Sequence, residues 1–333
     1  MITGFLGSGK TTLIRHLMQN PQGKRLAILV NEFGTVGVDG EILKSCADAN
    51  CPVENIVELA NGCICCTVAD EFIPTIEALL ALPQRPDHIL IETSGLALPK
   101  PLLKAFDWPA IRSMITVDGV ITLADAEAVA AGHFAGALTE AQIAAGEHDT
   151  PLGEVFEDQI ACADIVLLTK ADLAGEAGIA AARAVIEFEV AEKGRGRMPI
   201  LAMTEGVIDP RVILGLMAKA EDDLAARPSH HDGEDGHEHD DFNSIVIELG
   251  EIADPAVLTA AIQRLAREMN ILRVKGYVAV TGKPMRMLVQ AVGERVRAQY
   301  DRPWGASPRV SHLVVIAEQA DIDVDAIRAI LEA

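Results

Sequence analysis

The sequence has few basic residues for its length. Its 333 residues include 28 lysines and arginines against 49 aspartates and glutamates, a formal net charge of −21. Binding to nucleic acid or to an anionic membrane needs clustered positive charge, so we expect neither partner. The sequence also has no apolar stretch long enough to cross a bilayer, and it does not open with the basic and apolar regions of a secretion signal. We therefore expect a cytoplasmic protein.

A complete phosphate-binding motif of the form G-x-x-x-x-G-K-[ST] spans residues 4–11. Its glycines allow backbone N–H groups to converge on phosphate oxygens, Lys10 brings positive charge near the terminal phosphates, and Thr11 offers a hydroxyl to Mg²⁺. The expected ligand is a nucleoside triphosphate with Mg²⁺. The predicted contacts are Gly4, Gly7, Ser8, Gly9, Lys10, Thr11 and Thr12. Because only three residues precede the motif, we expect the printed sequence to start inside the first strand.

Apolar segments typical of buried strands alternate with helical patterns in the first two thirds of the chain. The predicted strands are 26–30, 56–59, 89–91, 113–117 and 165–168, and helical spacing covers 70–82 and 176–192. This alternation predicts an α/β fold in which helices cover both faces of a mostly parallel sheet. Ligands of such sheets bind beyond the carboxyl ends of the strands, which is where the phosphate loop is expected.

Residues 228–241 interrupt this pattern with a polar segment rich in histidine and acidic residues, which we interpret as a flexible connector. The predicted organisation is a P-loop domain at 1–227, this connector, and a small α+β domain at 242–333. In the second domain the pattern predicts strands at 244–249, 271–280, 286–292 and 310–316, with helices at 255–269 and 324–331.

A Thr-Lys-x-Asp motif at residues 169–172 is predicted to bind the base of the nucleotide. Asp172 can accept hydrogen bonds from the N1 and exocyclic amine of guanine, a donor pattern that adenine lacks. The stem of Lys170 can pack on the base, and Thr169 begins the motif. The alternative is an ordinary strand end followed by a polar turn. Combined with the phosphate loop, the motif favours GTP.

The segment His88–Gly95 has the form of a strand that delivers an acid and then a glycine turn. Glu92 is predicted to bind Mg²⁺ and to act with Lys10 and Thr11 in hydrolysis, and the N–H of Gly95 to sense the γ-phosphate. Thr93 or Ser94 could also cap the next helix, a role that uses different atoms. Residues 31–40 are glycine-rich and resemble a switch loop. No residue identifies itself as positioning the attacking water, so we expect slow intrinsic turnover, raised by a partner or by a nucleotide-dependent homodimer.

Three of the six cysteines, Cys63, Cys65 and Cys66, lie within four residues. Closely spaced thiolates repel one another unless they share a cation, and they suit zinc, Cu(I) and late transition metals. We therefore predict a metal site here; reduced cysteines packed as small apolar residues are the alternative. The connector supplies weak auxiliary ligands at His230, His231, His237 and His239, unless it is only a solvated linker. Cys46 and Cys51 fit no metal spacing, and Cys162 is predicted to be a core residue.

Taken together, these segments resemble the CobW family of metal-handling GTPases. The resemblance covers nearly the whole chain and is carried by residues 3–12, 31–34, 61–66, 92–95 and 169–172, and in the second domain by residues 273–277, Gln290 and residues 301–304. One departure is Thr169, which stands where the guanine motif usually begins with Asn. That substitution removes one base contact and leaves Asp172 in place.

Residues 36–43 and 92–99, with the His/acid connector, are most similar to the cobalamin-biosynthesis branch of that family. This resemblance implies a GTP-dependent chaperone that hydrolyses GTP and loads Co(II) for a client, cobaltochelatase. Zinc-handling relatives share the three-cysteine pattern, so Zn²⁺ is the alternative metal. A metal-buffering protein and a nucleotide-driven maturation factor for a metalloenzyme stay open as other functions.

Overall fold

In a computed structural model of the chain, the described residues are 1–31, 38–48, 51–59, 71–132, 151–229, 242–305, 308–318 and 322–332. They form two compact units, the first built mainly from residues up to 229 and the second from residues after 241. Each unit has its own sheet and its own buried apolar core. No helix within these ranges combines the length and apolarity needed to cross a membrane.

The first unit contains a parallel sheet, whose seven described strands lie in the order β3-β2-β4-β1-β5-β6-β7. The strands are β1 (Ile2–Gly4), β2 (Leu26–Asn31), β3 (Ile56–Leu59), β4 (His88–Glu92), β5 (Ile121–Asp125), β6 (Ile165–Thr169) and β7 (Ile200–Ala202). Since all neighbouring pairs are parallel, the carboxyl ends of these strands share one edge of the sheet.

Helices cover this sheet on both faces. Those described in the first unit are α1 (Lys10–Gln19), α2 (Val38–Lys44), α3 (Ile73–Leu80), α4 (Pro99–Ala105), α5 (Pro109–Arg112), α6 (Ala126–Ala130), α7 (Pro151–Ala161), α8 (Ala171–Glu192) and α9 (Pro210–Ile213). The helix α8 is interrupted at Gly175, whose φ of 64° and ψ of 177° are not helical, so a single turn at 171–174 precedes its main part. Alternate residues of one strand enter different cores, as the pleat requires. Ile28 and Val30 pack in the cluster that contains α1, whereas Leu29 packs in the cluster that contains α3 and α4. The predicted α/β architecture is confirmed.

The strand predicted at residues 113–117 is wrong. Ser113 and Met114 form a turn after α5, and the chain then runs without regular structure to β5. Ile115 and Val117 are apolar because they pack in the cluster with α3 and α4, not because they join the sheet. The N–H of Val117 donates to Glu221 Oε2 at 3.0 Å instead of to a neighbouring strand. The true strand, β5, pairs with β1 and β6.

The second unit is an antiparallel sheet whose described strands lie in the order β11-β10-β9-β12-β8. These strands are β8 (Phe242–Leu249), β9 (Arg273–Ala279), β10 (Met285–Val292), β11 (Arg295–Pro303) and β12 (Ser311–Glu318). The helices α10 (Pro255–Glu268) and α11 (Val324–Glu332) bury their apolar residues in one core with this sheet. This arrangement agrees with the α+β prediction. The sequence pattern missed β11, an edge strand that is mostly exposed and polar.

Candidate nucleotide-binding site

The phosphate loop joins the central strand β1 to the start of α1. Gly4 has a φ of +134°, and a Cβ there would lie 2.2 Å from the carbonyl oxygen of Leu123 on β5, so a larger residue would push the loop away from the sheet. Gly7 and Gly9 also have positive φ angles, and Gly9 directly precedes α1. The backbone therefore turns sharply between a buried strand and a helix N-terminus, the geometry that suits a phosphate group.

Lys10 lies inside the curve of this loop. Its Nζ donates to the carbonyl oxygens of Gly4 at 2.7 Å and of Phe5 at 3.1 Å, and the residue is 5% exposed. The hydroxyl of Ser8 is buried, and no described group hydrogen-bonds with it. Buried polar atoms are nearly always hydrogen-bonded in proteins, so this hydroxyl indicates a place for a ligand oxygen. The phosphate loop thus contains both a buried cation, Lys10, and a buried hydroxyl, Ser8.

Thr11 and Glu92 meet beside the loop. Thr11 Oγ1 donates to Glu92 Oε1 at 2.8 Å, and Glu92 is 3% exposed at the carboxyl end of β4. The contact forms because β4 pairs with β1, which places Glu92 opposite Ile2. A hydroxyl and a carboxylate are hard oxygen ligands of the kind that Mg²⁺ prefers, so these two residues fit the predicted magnesium site.

The turn after β4 packs directly on the phosphate loop. A Cβ at Gly95 would lie 2.8 Å from the backbone N of Leu6 and 2.9 Å from its Cα, so this close approach requires glycine. The hydroxyl of Thr93 donates to Thr3 Oγ1 at 2.9 Å, which ties the turn to β1. The alternative role of Thr93 or Ser94 as a helix cap is not observed, because α4 starts at Pro99 and Leu98 occupies the cap position.

Gln159 of α7 also forms hydrogen bonds with the turn after β4. Its Nε2 donates to the carbonyl oxygens of Gly95 at 3.1 Å and of Ala97 at 3.2 Å, and the residue is fully buried. Sequence reasoning missed this residue, since a glutamine within a helix carries no motif. Only the packing of α7 against the sheet reveals its contact with the turn.

The predicted base-binding motif lies at the carboxyl end of β6. Thr169 is the last residue of β6, and its hydroxyl donates to the carbonyl oxygen of Ala124 on β5 at 3.4 Å. Lys170 precedes α8 and has a left-handed backbone with a φ of 54°. That conformation costs a non-glycine residue about 1–2 kcal/mol. Asp172, in the first turn of α8, is exposed, so its carboxylate is accessible to a base.

Lys170 contacts a second residue that sequence reasoning missed, Asp125. Lys170 Nζ donates to Asp125 Oδ2 at 2.7 Å, and Asp125 ends β5, directly opposite Thr169. The carboxylate of Asp125 also accepts from the backbone N–H groups of Glu127 and Ala128, and so caps α6. The error in placing β5 hid this residue, because an acid at the end of a correctly placed strand would have been a candidate.

Several predicted metal ligands lie outside the described residues. These are Cys63, Cys65 and Cys66 of the cysteine cluster, and His230, His231, His237 and His239 of the connector. In the ranges that are described, no group of three or more His, Cys, Asp or Glu side chains is arranged to hold a metal. Of the remaining cysteines, Cys51 and Cys162 are buried in apolar clusters. Burial raises the pKa of the Cys51 thiol to about 11 and that of Cys162 to about 12.

Comparison with known families agrees with this geometry. Residues 1–193 match the model for the CobW/HypB/UreG nucleotide-binding domain, and residues 242–333 match the cobalamin synthesis protein cobW C-terminal domain. The chain belongs to the CobW/HypB/UreG family. The resemblance inferred from the sequence motifs is thereby confirmed, and as a member of this family the chain is a GTPase.

Three relatives align with the chain over nearly its full length. The zinc chaperone CobW of Sinorhizobium sp is 47% identical, and the match covers 100% of this chain and 96% of that protein. The zinc chaperone CobW of Pseudomonas aeruginosa is also 47% identical, with 96% and 87% covered. The zinc chaperone YjiA of Escherichia coli is 32% identical, with 96% and 93% covered.

Proposed function

We propose that this GTPase is a metallochaperone that uses the nucleotide to control when it holds and releases a divalent transition metal. The observation that carries the proposal is the order of strands around the phosphate loop. The sheet places β3, β2, β4 and β1 side by side, with Leu59 at the end of β3 paired to Asn31 at the end of β2. The strands β2 and β3, which precede the switch segment 31–40 and the cysteine segment 61–66 in the sequence, therefore end side by side at the edge of the sheet that holds the phosphate loop.

The nucleotide is bound, in this proposal, by the residues already described along that edge. Thr11 and Glu92 would hold Mg²⁺, which would supply positive charge to the phosphates, and Lys10 adds its own charge at the same phosphates. Gly95 senses the γ-phosphate through its N–H, and Asp172 selects guanine. The switch segment 31–40 responds to the γ-phosphate and completes a site formed by Cys63, Cys65 and Cys66. Hydrolysis then loosens this site and releases the metal to a client protein.

Zinc is the metal we favour, because the relatives that cover this chain are named zinc chaperones. Cobalt delivered to cobaltochelatase, the assignment implied by the cobalamin-related resemblance, is the competing proposal. Thiolates bind both ions, so the donor set does not separate them. Titration of the GTP-loaded protein with Zn²⁺ and Co²⁺ in competition, at fixed pH, separates the two. A higher affinity for Co²⁺ would overturn the zinc assignment, because Zn²⁺ normally binds such sites more tightly.

A metal-storage function makes a different prediction about the connector. The segment 230–241 contains four histidines and six acidic residues, which favour loose binding of divalent ions. If the protein only buffers metal, deletion of residues 230–241 removes most of the bound metal. If it is a chaperone, the deletion leaves one tightly bound ion, and Cys65→Ser removes that ion. Retention of the tight site in Cys65→Ser would contradict the proposed cysteine ligands.

The base assignment has its own test. In the variant Asp172→Asn, the side-chain NH₂ group can donate a hydrogen bond to the 2-oxo group of xanthine. The same side chain has one acceptor oxygen fewer than aspartate for the two donors of guanine. We therefore expect Asp172→Asn to weaken GTP binding and to improve binding of xanthosine triphosphate, measured by competition against a fluorescent nucleotide. An unchanged preference for GTP would refute the role of Asp172.

We further propose that the protein acts in the cytoplasm and that a nucleotide-dependent homodimer speeds its slow turnover.

A further inference from the structure

The geometry points to Asp125 as a positioning residue of the guanine pocket, acting through Lys170 on the placement of Asp172. This inference rests on the proposed base-binding role of Asp172. Asp125 does not belong to the phosphate loop, to the Mg²⁺ pair or to the base motif. It comes from a neighbouring strand, and its carboxylate reaches the residue at which the base-binding helix begins.

The ion pair between Asp125 and Lys170 is positioned to restrict the backbone conformation of Lys170. The side chain of Asp125 is 5% exposed, and that of Lys170 is 31% exposed, so the contact is largely shielded from solvent. Asp125 is itself immobilised, since its Oδ1 accepts from the N–H groups of Glu127 at 3.2 Å and Ala128 at 3.3 Å. Lys170 therefore binds an acceptor that cannot follow it if the loop moves.

Lys170 in turn begins the single helical turn at 171–174, which contains Asp172 and which the non-helical Gly175 separates from the rest of α8. The carbonyl oxygen of Lys170 accepts from the N–H groups of Leu173 at 2.9 Å and Ala174 at 3.1 Å, the first hydrogen bonds of that turn. Its own side chain does not cap the helix, and its backbone has the left-handed conformation that lysine rarely adopts. The contact with Asp125 favours that conformation. Asp172 lies two residues further on, so its carboxylate moves if Lys170 relaxes.

The residue before Lys170 is also attached to β5. Thr169 stands at the position where the guanine motif usually has Asn, and its hydroxyl donates to the carbonyl oxygen of Ala124. Both side-chain contacts of the motif, from Thr169 and from Lys170, thus go to consecutive residues at the end of β5. The base motif of this chain is held by β5, and Asp125 supplies the charged half of that attachment.

The test compares Asp125→Asn, Lys170→Met and the double variant, using the full chain. Asn keeps the side-chain oxygen that caps α6, so the variant removes the charge without removing the cap. Two measurements are made: the affinities for GDP and for inosine diphosphate, which lacks the exocyclic amine, and kcat and KM for GTP. We expect Asp125→Asn to weaken GDP binding about tenfold, as for a lost charged hydrogen bond, and to lower the preference for GDP over inosine diphosphate. At saturating GTP, kcat changes by less than about twofold, because the loss is in binding.

Glu157→Gln provides the matched control. It weakens the ion pair between Glu157 and Lys193, also 2.7 Å long and similarly shielded, within the same unit. We expect this variant to bind both nucleotides like the wild type. If Asp125→Asn does not fold, Lys170→Met alone decides, and an unchanged preference for GDP over inosine diphosphate would overturn the inference.

Two further results would overturn the inference. One is a double variant whose losses equal the sum of the single losses, since members of one ion pair must be non-additive. The other is an unchanged nucleotide preference in Asp125→Asn while Asp172→Asn loses its preference. That outcome would reject the positioning role of Asp125 and would leave the base-binding role of Asp172 supported. If Asp172→Asn also keeps its preference, the base-binding role fails, and the inference fails with it.

Discussion

Substitution of Gly95 by alanine tests the contact between the turn after β4 and the phosphate loop. A Cβ on Gly95 would lie 2.5 Å from Leu6 Cδ2, 2.8 Å from Leu6 N and 2.9 Å from Leu6 Cα. The side-chain atom can rotate away, but the two backbone atoms belong to the phosphate loop and move only if the loop moves. Gly95 does not have a positive φ, so the cost comes from crowding alone.

Crowding of this kind costs about 1–3 kcal/mol. Alanine also lowers the conformational entropy of the unfolded chain, which offsets about 0.4–1 kcal/mol of that cost. The net loss of folding stability is therefore about 1–2 kcal/mol, and displacement of the loop should weaken GTP binding by about tenfold, the equivalent of about 1.4 kcal/mol. We would measure GTP affinity by fluorescence titration and unfolding by urea denaturation.

Gly196→Ala is the control for this prediction. Gly196 belongs to the same unit, has no positive φ, and has no atom within 4 Å of an added Cβ. Alanine there should leave GTP binding unchanged and should leave stability equal or slightly higher. If Gly95→Ala binds GTP and unfolds like Gly196→Ala, the turn does not press on the phosphate loop and the reasoning is refuted.

Three further predictions concern magnesium, a buried ion pair and pH. Thr11→Ala removes a hydroxyl beside Glu92, so we expect a Mg²⁺ requirement for hydrolysis at least about tenfold higher, measured by Mg²⁺ titration, and an unchanged requirement would reject this ligand. Arg227 is fully buried and pairs with two aspartates, so Arg227→Ala should lower unfolding stability by about 3–5 kcal/mol, whereas the exposed Arg211→Ala should change it by less than about 1 kcal/mol. The pKa of the Cys51 thiol is raised to about 11 in the folded protein, against about 9 when exposed, so its contribution to stability is present below pH 9 and lost as pH rises towards 11. Stability measured across that range should fall less steeply in Cys51→Ala, and equal slopes would contradict the burial effect.

The parts of the site that the sequence could predict are contiguous motifs and the residues that end correctly placed strands. The phosphate loop is a local motif, and its neighbours in the chain are the atoms that shape it. Glu92 was predictable because it ends an apolar strand, and parallel strands place their carboxyl ends together. The same logic predicted Thr169 and Lys170 at the end of β6.

The parts that could not be predicted depend on contacts between distant segments. Asp125 was missed because the short apolar segment 113–117 resembled a strand, although its residues pack against helices. Gln159 was missed because its contacts with Gly95 and Ala97 join segments more than 60 residues apart. Periodicity reports whether a residue is buried but not which layer buries it, and the wrong strand at 113–117 follows from that limit.

The central claim is that the nucleotide controls metal affinity, and one titration tests it most directly. The affinity for Zn²⁺ is measured with the same protein loaded with a non-hydrolysable GTP analogue and with GDP. We predict tighter binding with the GTP analogue, by about 5–150-fold as for typical coupling between sites, and Zn²⁺ must tighten binding of the analogue relative to GDP by the same factor. Equal Zn²⁺ affinities in the two nucleotide states would contradict the account.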